Sequence, residues 1–258
     1  MSGSVETRAP IEPPPEGFRF SLRSLFMIVF CCALGCAFWI EVIEPSKEAG
    51  RRSQCVNNLK QIGLGLQNYA DVCKRLPAAI AVDANQEPIH SWRLTILPWG
   101  TQLGELFRRY RYDQPWNFPA NRTITDQRGF PTYRCPSASP SQPLTHANYV
   151  MPLGPHTISD GPNSIAFGQI SDGLSNTIAV GEIANSDIYW TEPRDLPLDA
   201  MSFRVNDRSQ PSISSAHRGA AVVLFADGHT QALSDSIDPE VLKSLLTIAG
   251  GEKIQGDY

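Results

Sequence analysis

His217, Asp227 and His229 are the residues whose types and spacing first suggest a reactive site in this chain. Nine residues separate His217 from Asp227, and Gly228 follows directly. Imidazole and carboxylate groups held together bind metal ions or transfer protons. The first hypothesis is therefore a metal or acid/base cluster.

The strand pattern around these residues argues against that cluster. Residues 220–226 (AAVVLFA) are continuously apolar and residues 229–233 (HTQAL) alternate, which makes Asp227-Gly228 a two-residue hairpin signal. Nine extended residues at about 3.3 Å each span roughly 30 Å, so a straight strand keeps His217 far from the turn. We expect Asp227 and Gly228 to form the turn, and His217 to bond backbone or loop groups at the other end of the hairpin.

A proline-bounded loop at residues 190–199 (WTEPRDLPLD) has chemistry suited to a carbohydrate. Trp190 offers a face on which a sugar ring could stack, while Glu192 and Arg194 could bond its hydroxyl groups. A tryptophan that caps the core beside a local ion pair explains the same residues, and we favour that structural interpretation. The candidate ligand-binding residues are Trp190, Glu192, Arg194 and His217.

A near-repeat spans residues 158–182, where ISDGPNSIAFGQ is followed by ISDGLSNTIAVGE. Each copy places Asp-Gly before a short apolar run and predicts a turn followed by a strand, with Asp172 and Gly173 in the second turn. Oxygen-bearing side chains in both copies could bind calcium, although neither copy has the acid spacing of an EF-hand loop. Turn chemistry is favoured, and calcium stays an alternative.

The elements around these motifs belong to one membrane-anchored domain. Residues 24–40 carry no charge and are long enough to cross a bilayer, which takes ~17 to 25 residues. A buried core helix would keep one polar face, and a signal peptide would end in a cleavage site, which is not clear here. Arginine and lysine residues flank the run on both sides, so charge does not determine its orientation.

An amphipathic helix is predicted after the apolar run. Ser46 could cap it, an apolar stripe recurs at spacings of three and four from Val56 to Cys73, and Pro77 follows its end. Gly63 and Gly65 lie inside this helix and predict close packing of another element. A second helix is expected after Asp238-Pro239 and ends at Gly250-Gly251.

The composition bounds the possible functions. The chain has 258 residues, a net charge of -4 and no basic stripe, so we expect no nucleic-acid partner. Its 21 prolines and 19 glycines favour short strands and many loops. The predicted class is α+β with helices at the ends.

Several ordered motifs then make the sequence recognisable. They are RRSQCVNNLKQIGLGLQNY (51–69), SWRLTILPW (91–99), YRCPS (133–137), ANYV (147–150), ISDGLSNTIAVGE (170–182), WTEPRDLPLD (190–199) and the H-x9-DG pattern. Over roughly residues 46–255 the chain resembles a pilin-like family of unknown function, the domain-of-unknown-function family numbered 1559, abundant in planctomycete bacteria. The resemblance implies a membrane anchor, an external domain and a pilin-like fold in which an amphipathic helix packs on an antiparallel sheet, with no established activity.

The resemblance also bears on the cysteines. Cys55 and Cys135 lie in family-like motifs, which implies one disulfide between them in an oxidising compartment and leaves Cys73 free. With no CxxC pair and no histidine nearby in sequence, a zinc site is weakly supported, and no metal or other cofactor is predicted. The three remaining cysteines lie in the apolar run as small hydrophobic residues: Cys31, Cys32 and Cys36.

These observations predict a cytoplasmic disordered tail (1–20), a transmembrane helix (21–43) and a pilin-like extra-cytoplasmic domain (46–255). The predicted function is a structural or binding role in the cell envelope, with the membrane and possible envelope proteins or polysaccharide as partners and no catalysis. One alternative is a pseudopilin, although Leu22 stands where that class carries Glu. The other is a membrane-tethered hydrolase in which His217 meets acids such as Glu182 or Asp195.

Overall fold

A computed structural model of the protein describes residues 21–100, 108–127 and 129–251. The chain divides into two compact units, Met1–Ser46 and Lys47–Tyr258. The predicted disordered tail (1–20) lies outside the described residues.

The first unit contains helix α1 (Leu22–Phe38), followed by one π-helical turn at Trp39–Ile43. Ser21 caps α1, because its hydroxyl accepts a hydrogen bond from the Ser24 N–H at 3.1 Å. No residue of α1 is buried, unlike a core helix, which buries one face. Within the described residues, one helical stretch near the N-terminus is long and apolar enough to cross a membrane.

Helix α2 (Glu44–Cys73) carries the predicted apolar stripe. Its start differs from the prediction, because the helix begins before Ser46 and the Ser46 hydroxyl donates to the Val42 carbonyl at 2.7 Å instead of capping. Pro45 lies in the first turn, where its missing N–H breaks no hydrogen bond of α2. The helix ends where Lys74 takes a positive φ of 60°. The buried face is formed by Cys55, Asn58, Leu59, Ile62, Gly63, Gly65, Leu66 and Ala70.

The main sheet has four antiparallel strands in the order β3-β5-β7-β8. They are β3 (Tyr149–Val150), β5 (Ile178–Glu182), β7 (Ala220–Phe225) and β8 (Thr230–Ser234). Two small pairs complete the strands: β1 (Ile80–Val82) with β2 (Pro88–Ser91), antiparallel, and β4 (Pro152–Leu153) with β6 (Leu196–Pro197), parallel. The short helices are α3 (Trp92–Thr95), α4 (Leu97–Gly100), α5 (Pro119–Thr125) and α6 (Pro239–Leu246).

Successive residues of β7 point to opposite faces of the sheet, and each face packs on a helix. Val222 and Leu224 join the core that contains the buried stripe of α2. Val223 and Phe225 join a second core with Leu242, Leu245 and Leu246 of α6. The predicted architecture is thereby confirmed: an α+β chain with a long N-terminal helix, an antiparallel sheet and a C-terminal helix, as in a pilin-like fold.

The two glycines of α2 lie where the prediction placed a close approach. A Cβ on Gly63 would lie 3.0 Å from Leu224 Cδ1, and one on Gly65 would lie 3.3 Å from Ile96 Cδ1. Such distances are tighter than ordinary packing contacts. The absence of side chains at these positions therefore lets α2 sit directly on β7 and on the segment after α3.

The near-repeat has two different structures. In the second copy, the turn at Asp172-Gly173 leads into β5, as predicted. The first copy forms no named strand; its Ile165 carbonyl accepts a hydrogen bond from the Leu76 N–H at 2.7 Å. This copy pairs with the connection after α2 and, through a single bridge from Ser159 to Leu153, with β4, but not with the main sheet. The prediction of two turn-plus-strand units is therefore wrong for residues 158–169.

The turn between β7 and β8 yields a stability prediction. Gly228 has a φ of +93°, and its N–H donates to the Phe225 carbonyl at 2.9 Å. G228A is expected to lower the free energy of unfolding by about 1 to 2 kcal/mol, because an L side chain resists this backbone conformation. Gly168 has no positive φ, and a methyl group added there would meet open space, so G168A should change the same quantity by less than about 0.5 kcal/mol. Equal losses in denaturant unfolding of the two variants would contradict the assigned turn.

Candidate functional site

Four side chains with metal-binding or reactive chemistry meet inside the second unit. Cys55, Cys135, Glu182 and His217 each place one sulfur, nitrogen or oxygen atom within 4.8 Å of the others. The four residues are at most 3% exposed. The cluster is therefore a buried site built from four separate parts of the chain.

One helix, one strand and two loops each position one of the four residues. Cys55 lies on the buried face of α2, and Glu182 is the last residue of β5. Cys135 follows a 3-10 turn, and its N–H donates to Asn148 Oδ1 at 3.1 Å. His217 lies in the loop before β7, where its N–H donates to Ser215 Oγ at 3.1 Å. These backbone hydrogen bonds hold the two loop residues in place.

The sulfur and nitrogen atoms of the cluster are in direct contact. Cys55 Sγ lies 2.9 Å from Cys135 Sγ, and His217 Nε2 lies 3.2 Å from the first sulfur and 3.5 Å from the second. Both cysteines are free thiols in this structure. The disulfide between them, which the family resemblance implied, stays a prediction.

A further carboxylate lies on the other side of the imidazole. Glu48 Oε1 contacts His217 Nδ1. The same carboxylate pairs with Arg51 at 2.7 Å and accepts a hydrogen bond from Ser137 Oγ at 3.2 Å. Glu48 therefore fixes the ring so that Nε2 faces the two sulfurs.

Glu182 is the least satisfied group of the cluster. Its Oε2 accepts a hydrogen bond from the Val222 N–H at 2.9 Å, whereas its buried Oε1 has no hydrogen-bond partner. Burial, followed by the nearby Cys135, raises the pKa of the Glu182 carboxyl to about 7. A buried carboxylate oxygen without a partner is costly unless something compensates it.

The thiols and the imidazole polarise one another. The hydrogen bond from Cys55 and that from His217 lower the pKa of the Cys135 thiol. The Cys135 hydrogen bond, followed by that of Glu48, raises the pKa of His217 to about 9 despite burial. Negative charge on Cys135 is therefore favoured within the cluster.

The loop predicted to bind a sugar has a different role in the structure. Trp190 is 1% exposed, and its ring packs on Phe130 and Tyr133 with centroid distances of 5.5 and 6.3 Å. The proposed stacking face is thus buried, which corrects the ligand-binding assignment of Trp190. Glu192 pairs with Arg194 at 2.9 Å, the local ion pair of the structural interpretation.

The Asp-Gly motifs form backbone contacts. The two carboxylate oxygens of Asp172 accept hydrogen bonds from the Gly250 and Gly251 N–H groups at 2.7 and 3.0 Å, and Gly173 has a φ of +95°. These amides occupy both carboxylate oxygens of Asp172, one of the side chains that the calcium alternative needed. Asp227 lies in the β7–β8 turn with Gly228, and its Oδ1 lies 2.6 Å from His229 Nδ1.

The structure brings His217 to one of the two acids named for a hydrolase. Glu182 belongs to the cluster, whereas Asp195 is paired with Arg93 at 2.6 Å in a separate buried site. The expectation that His217 bonds backbone or loop groups is met by its contact with Cys135, which lies in a loop, but the ring also contacts Glu48 and Cys55 of α2, which the sequence did not predict. Glu48 was missed; the available signal was its position seven residues before Cys55, on the same helix.

Zinc had weak support from the sequence because the candidate donors are far apart along the chain. Cys55 lies 80 residues from Cys135 and 162 from His217, so no local motif marks the cluster. The fold removes that objection, because α2, β5 and two loops bring the donors together. Donor chemistry, not spacing, decides what the site can hold.

Comparison with known proteins places the chain in a family. A family model described as "Protein of unknown function (DUF1559)" matches residues 45–164 and 190–240. These stretches include Cys55, Cys135 and His217, while Glu182 lies between them. No curated protein and no solved structure matches the chain. Since the matched residues make up more than half of its length, the chain belongs to the DUF1559 family.

Proposed function

We propose that this protein is a single-pass membrane protein of the cell envelope, whose second unit has a structural or binding role outside the cytoplasm. The observation that carries the proposal is α1, a helix of 17 residues without a buried side chain. An exposed apolar surface of this size is stable in lipid and unfavourable in water.

A polar cleft in the second unit supports a binding role. It has a volume of about 420 Å³ and is lined mainly by hydroxyl, amide and charged side chains, including Ser137, Asn185, Asn206, Arg208 and Gln210. Such groups form hydrogen bonds with polyhydroxylated or peptide ligands. We therefore propose polysaccharide or another envelope protein as the partner.

The burial of the cluster supports a role without catalysis. One observation favours the hydrolase alternative. The Cys135 thiol contacts His217, and His217 contacts Glu48, which is the arrangement of a nucleophile, a base and an acid that orients the base. A nucleophile must reach its substrate. Cys135 borders a cavity of about 320 Å³, yet the residue is 3% exposed and its sulfur touches a second sulfur. Hydrolysis of an ester or peptide probe that disappears in C135A would favour the hydrolase instead.

Protease accessibility tests the placement. In intact cells whose outer layers are permeable to protease, we expect the second unit to be digested and its fragments to start after the anchor. N-terminal sequencing of the mature protein should show residues upstream of Leu22, because a retained anchor is not cleaved. Protection of the second unit until the cytoplasmic membrane is opened would contradict the proposed orientation.

Co-sedimentation with isolated envelope polysaccharide tests the binding role. The detergent-solubilised chain should pellet with its ligand, and the double variant R208A/Q210A should pellet less, because both side chains line the cleft. R122A is the matched control, since Arg122 lies on α5 and does not line this cleft. Equal pelleting of all three proteins would argue against the cleft as the binding surface.

A further inference from the structure

The buried cluster has the donor set of a metal site. Two thiols, an imidazole nitrogen and a carboxylate oxygen are the groups that zinc takes in proteins. The ligand atoms of a tetrahedral zinc ion lie roughly 3.3 to 3.8 Å apart, as follows from bond lengths of about 2.0 to 2.3 Å. The nitrogen–sulfur distances of 3.2 and 3.5 Å are close to this range, and the two sulfurs, at 2.9 Å, would have to separate by less than about 1 Å.

We propose that Cys55, Cys135, Glu182 and His217 together bind one divalent metal ion, zinc by their donor chemistry, in a closed structural site. Four protein ligands leave no open coordination position, which is the arrangement of structural and not catalytic zinc. Binding requires both cysteines as thiolates and His217 without a proton on Nε2, so the Cys55 thiol proton and the proton shared by Cys135 and His217 leave to solvent.

The unpartnered oxygen of Glu182 points independently to a cation. Glu182 is 1% exposed, and its Oε1 has no hydrogen-bond partner although Oε2 is held by the Val222 N–H. Among the described residues, Glu182 Oε1 is one of five buried side-chain atoms without a hydrogen-bond partner, and it is the one that belongs to the cluster. Leaving a buried carboxylate oxygen unpaired is costly. One carboxylate oxygen of Glu182 lies within 4.8 Å of the sulfurs and of the His217 nitrogen. A metal ion bound there would supply the missing positive partner once the carboxylate moves toward it by about 1 Å.

Glu48 completes the site from outside. Metal-binding histidines usually donate their second ring N–H to a carboxylate, which fixes the tautomer and orients the ring. Glu48 contacts His217 Nδ1 and thereby leaves Nε2 as the ligand atom. Arg51, at 2.7 Å from this carboxylate, balances its charge.

A disulfide between Cys55 and Cys135 is the competing explanation for the two sulfurs. It accounts for their contact but not for the imidazole directed at both of them, nor for the unpartnered Glu182 oxygen. One metal ion accounts for all three observations. The site would then hold α2 against β5 and the two loops.

Metal analysis of the full chain tests the proposal. The protein is purified in detergent from membranes without chelator or reductant, and its zinc content and thiols are measured. We expect about one zinc per chain, slow alkylation of Cys55 and Cys135 in the folded protein that becomes faster when chelator is added, and full alkylation of both thiols in denaturant without reductant. Exchange with Co²⁺ should give thiolate-to-cobalt charge-transfer absorption, a signature that needs no variant.

Variants assign the ligands. C135S and E182Q should lose zinc, whereas E48Q should weaken zinc affinity by about 10- to 100-fold, as expected for a group that orients a ligand. C73S and E192Q are the matched controls, because Cys73 is an exposed thiol and Glu192 a carboxylate in an ion pair elsewhere; both should bind zinc like the wild type. A Cys55–Cys135 disulfide without metal in the fresh protein, or wild-type zinc affinity in C135S or E182Q, would overturn the proposal.

Discussion

The double variant F30R/L34R is expected to leave the membrane fraction almost completely. Phe30 and Leu34 lie one turn apart in α1 and are 60% and 55% exposed, so both face the medium around the helix. Each arginine at the centre of a membrane helix costs about 2.5 to 3.5 kcal/mol, and two therefore cost roughly 5 to 7 kcal/mol. The measurement is the share of protein that stays in the membrane pellet after alkaline extraction.

The matched control places the same charges on a different helix segment. Leu64 and Val72 lie on α2 and are 54% and 63% exposed, so L64R/V72R adds two arginines at sites of similar exposure. Because these residues belong to the second unit, the control should stay in the pellet like the wild type. Extraction of the wild-type chain by alkali, or equal loss in both double variants, would show that α1 is not the anchor.

The fold was predictable where local periodicity decided it. The stripe of α2, the Asp-Pro start of α6 and the Asp227-Gly228 turn each follow from spacing or from one residue's backbone preference. The start of α2 was not predictable from Ser46, since nothing local shows that helix geometry continues through Pro45. The two copies of the near-repeat show the same limit, because partners distant in sequence decide which copy becomes a strand.

The site was predictable only in pieces. Cys55, Cys135 and His217 each stood out by residue type and motif, and Glu182 was named as an acid that His217 could meet. Their meeting depends on α2 packing on the sheet, which brings residues 80 and 162 positions apart into contact. For Trp190 the sequence suggested an accessible stacking face, because the residue lies in a polar loop, whereas in the folded chain its side chain is buried.

R93M is expected to lower the free energy of unfolding by about 3 to 5 kcal/mol, because it removes one partner of a buried ion pair. Arg93 and Asp195 have fully buried side chains with a nitrogen–oxygen distance of 2.6 Å. Asp195 also accepts hydrogen bonds from the Trp92 Nε1–H and the Met151 N–H, and its Oδ2 has no partner. Burial raises the pKa of Asp195 even beside Arg93, so the carboxylate depends strongly on that cation.

Two further variants separate the effect of the unpaired charge from a general loss of packing: the double variant R93M/D195N, and R194M, which breaks an exposed ion pair. R93M/D195N should recover part of the loss, since the amide keeps an acceptor for the Trp92 and Met151 N–H groups without an uncompensated charge. R194M breaks the ion pairs of Arg194 with Asp187 and Glu192. Because the Arg194 side chain is 44% exposed, this variant should lower the free energy of unfolding by less than about 1 kcal/mol. Denaturant unfolding followed by tryptophan fluorescence measures all three variants. If R93M loses no more than R194M, or if adding D195N only deepens the loss, the pair does not hold α3 to the β6 segment in the way inferred from its burial.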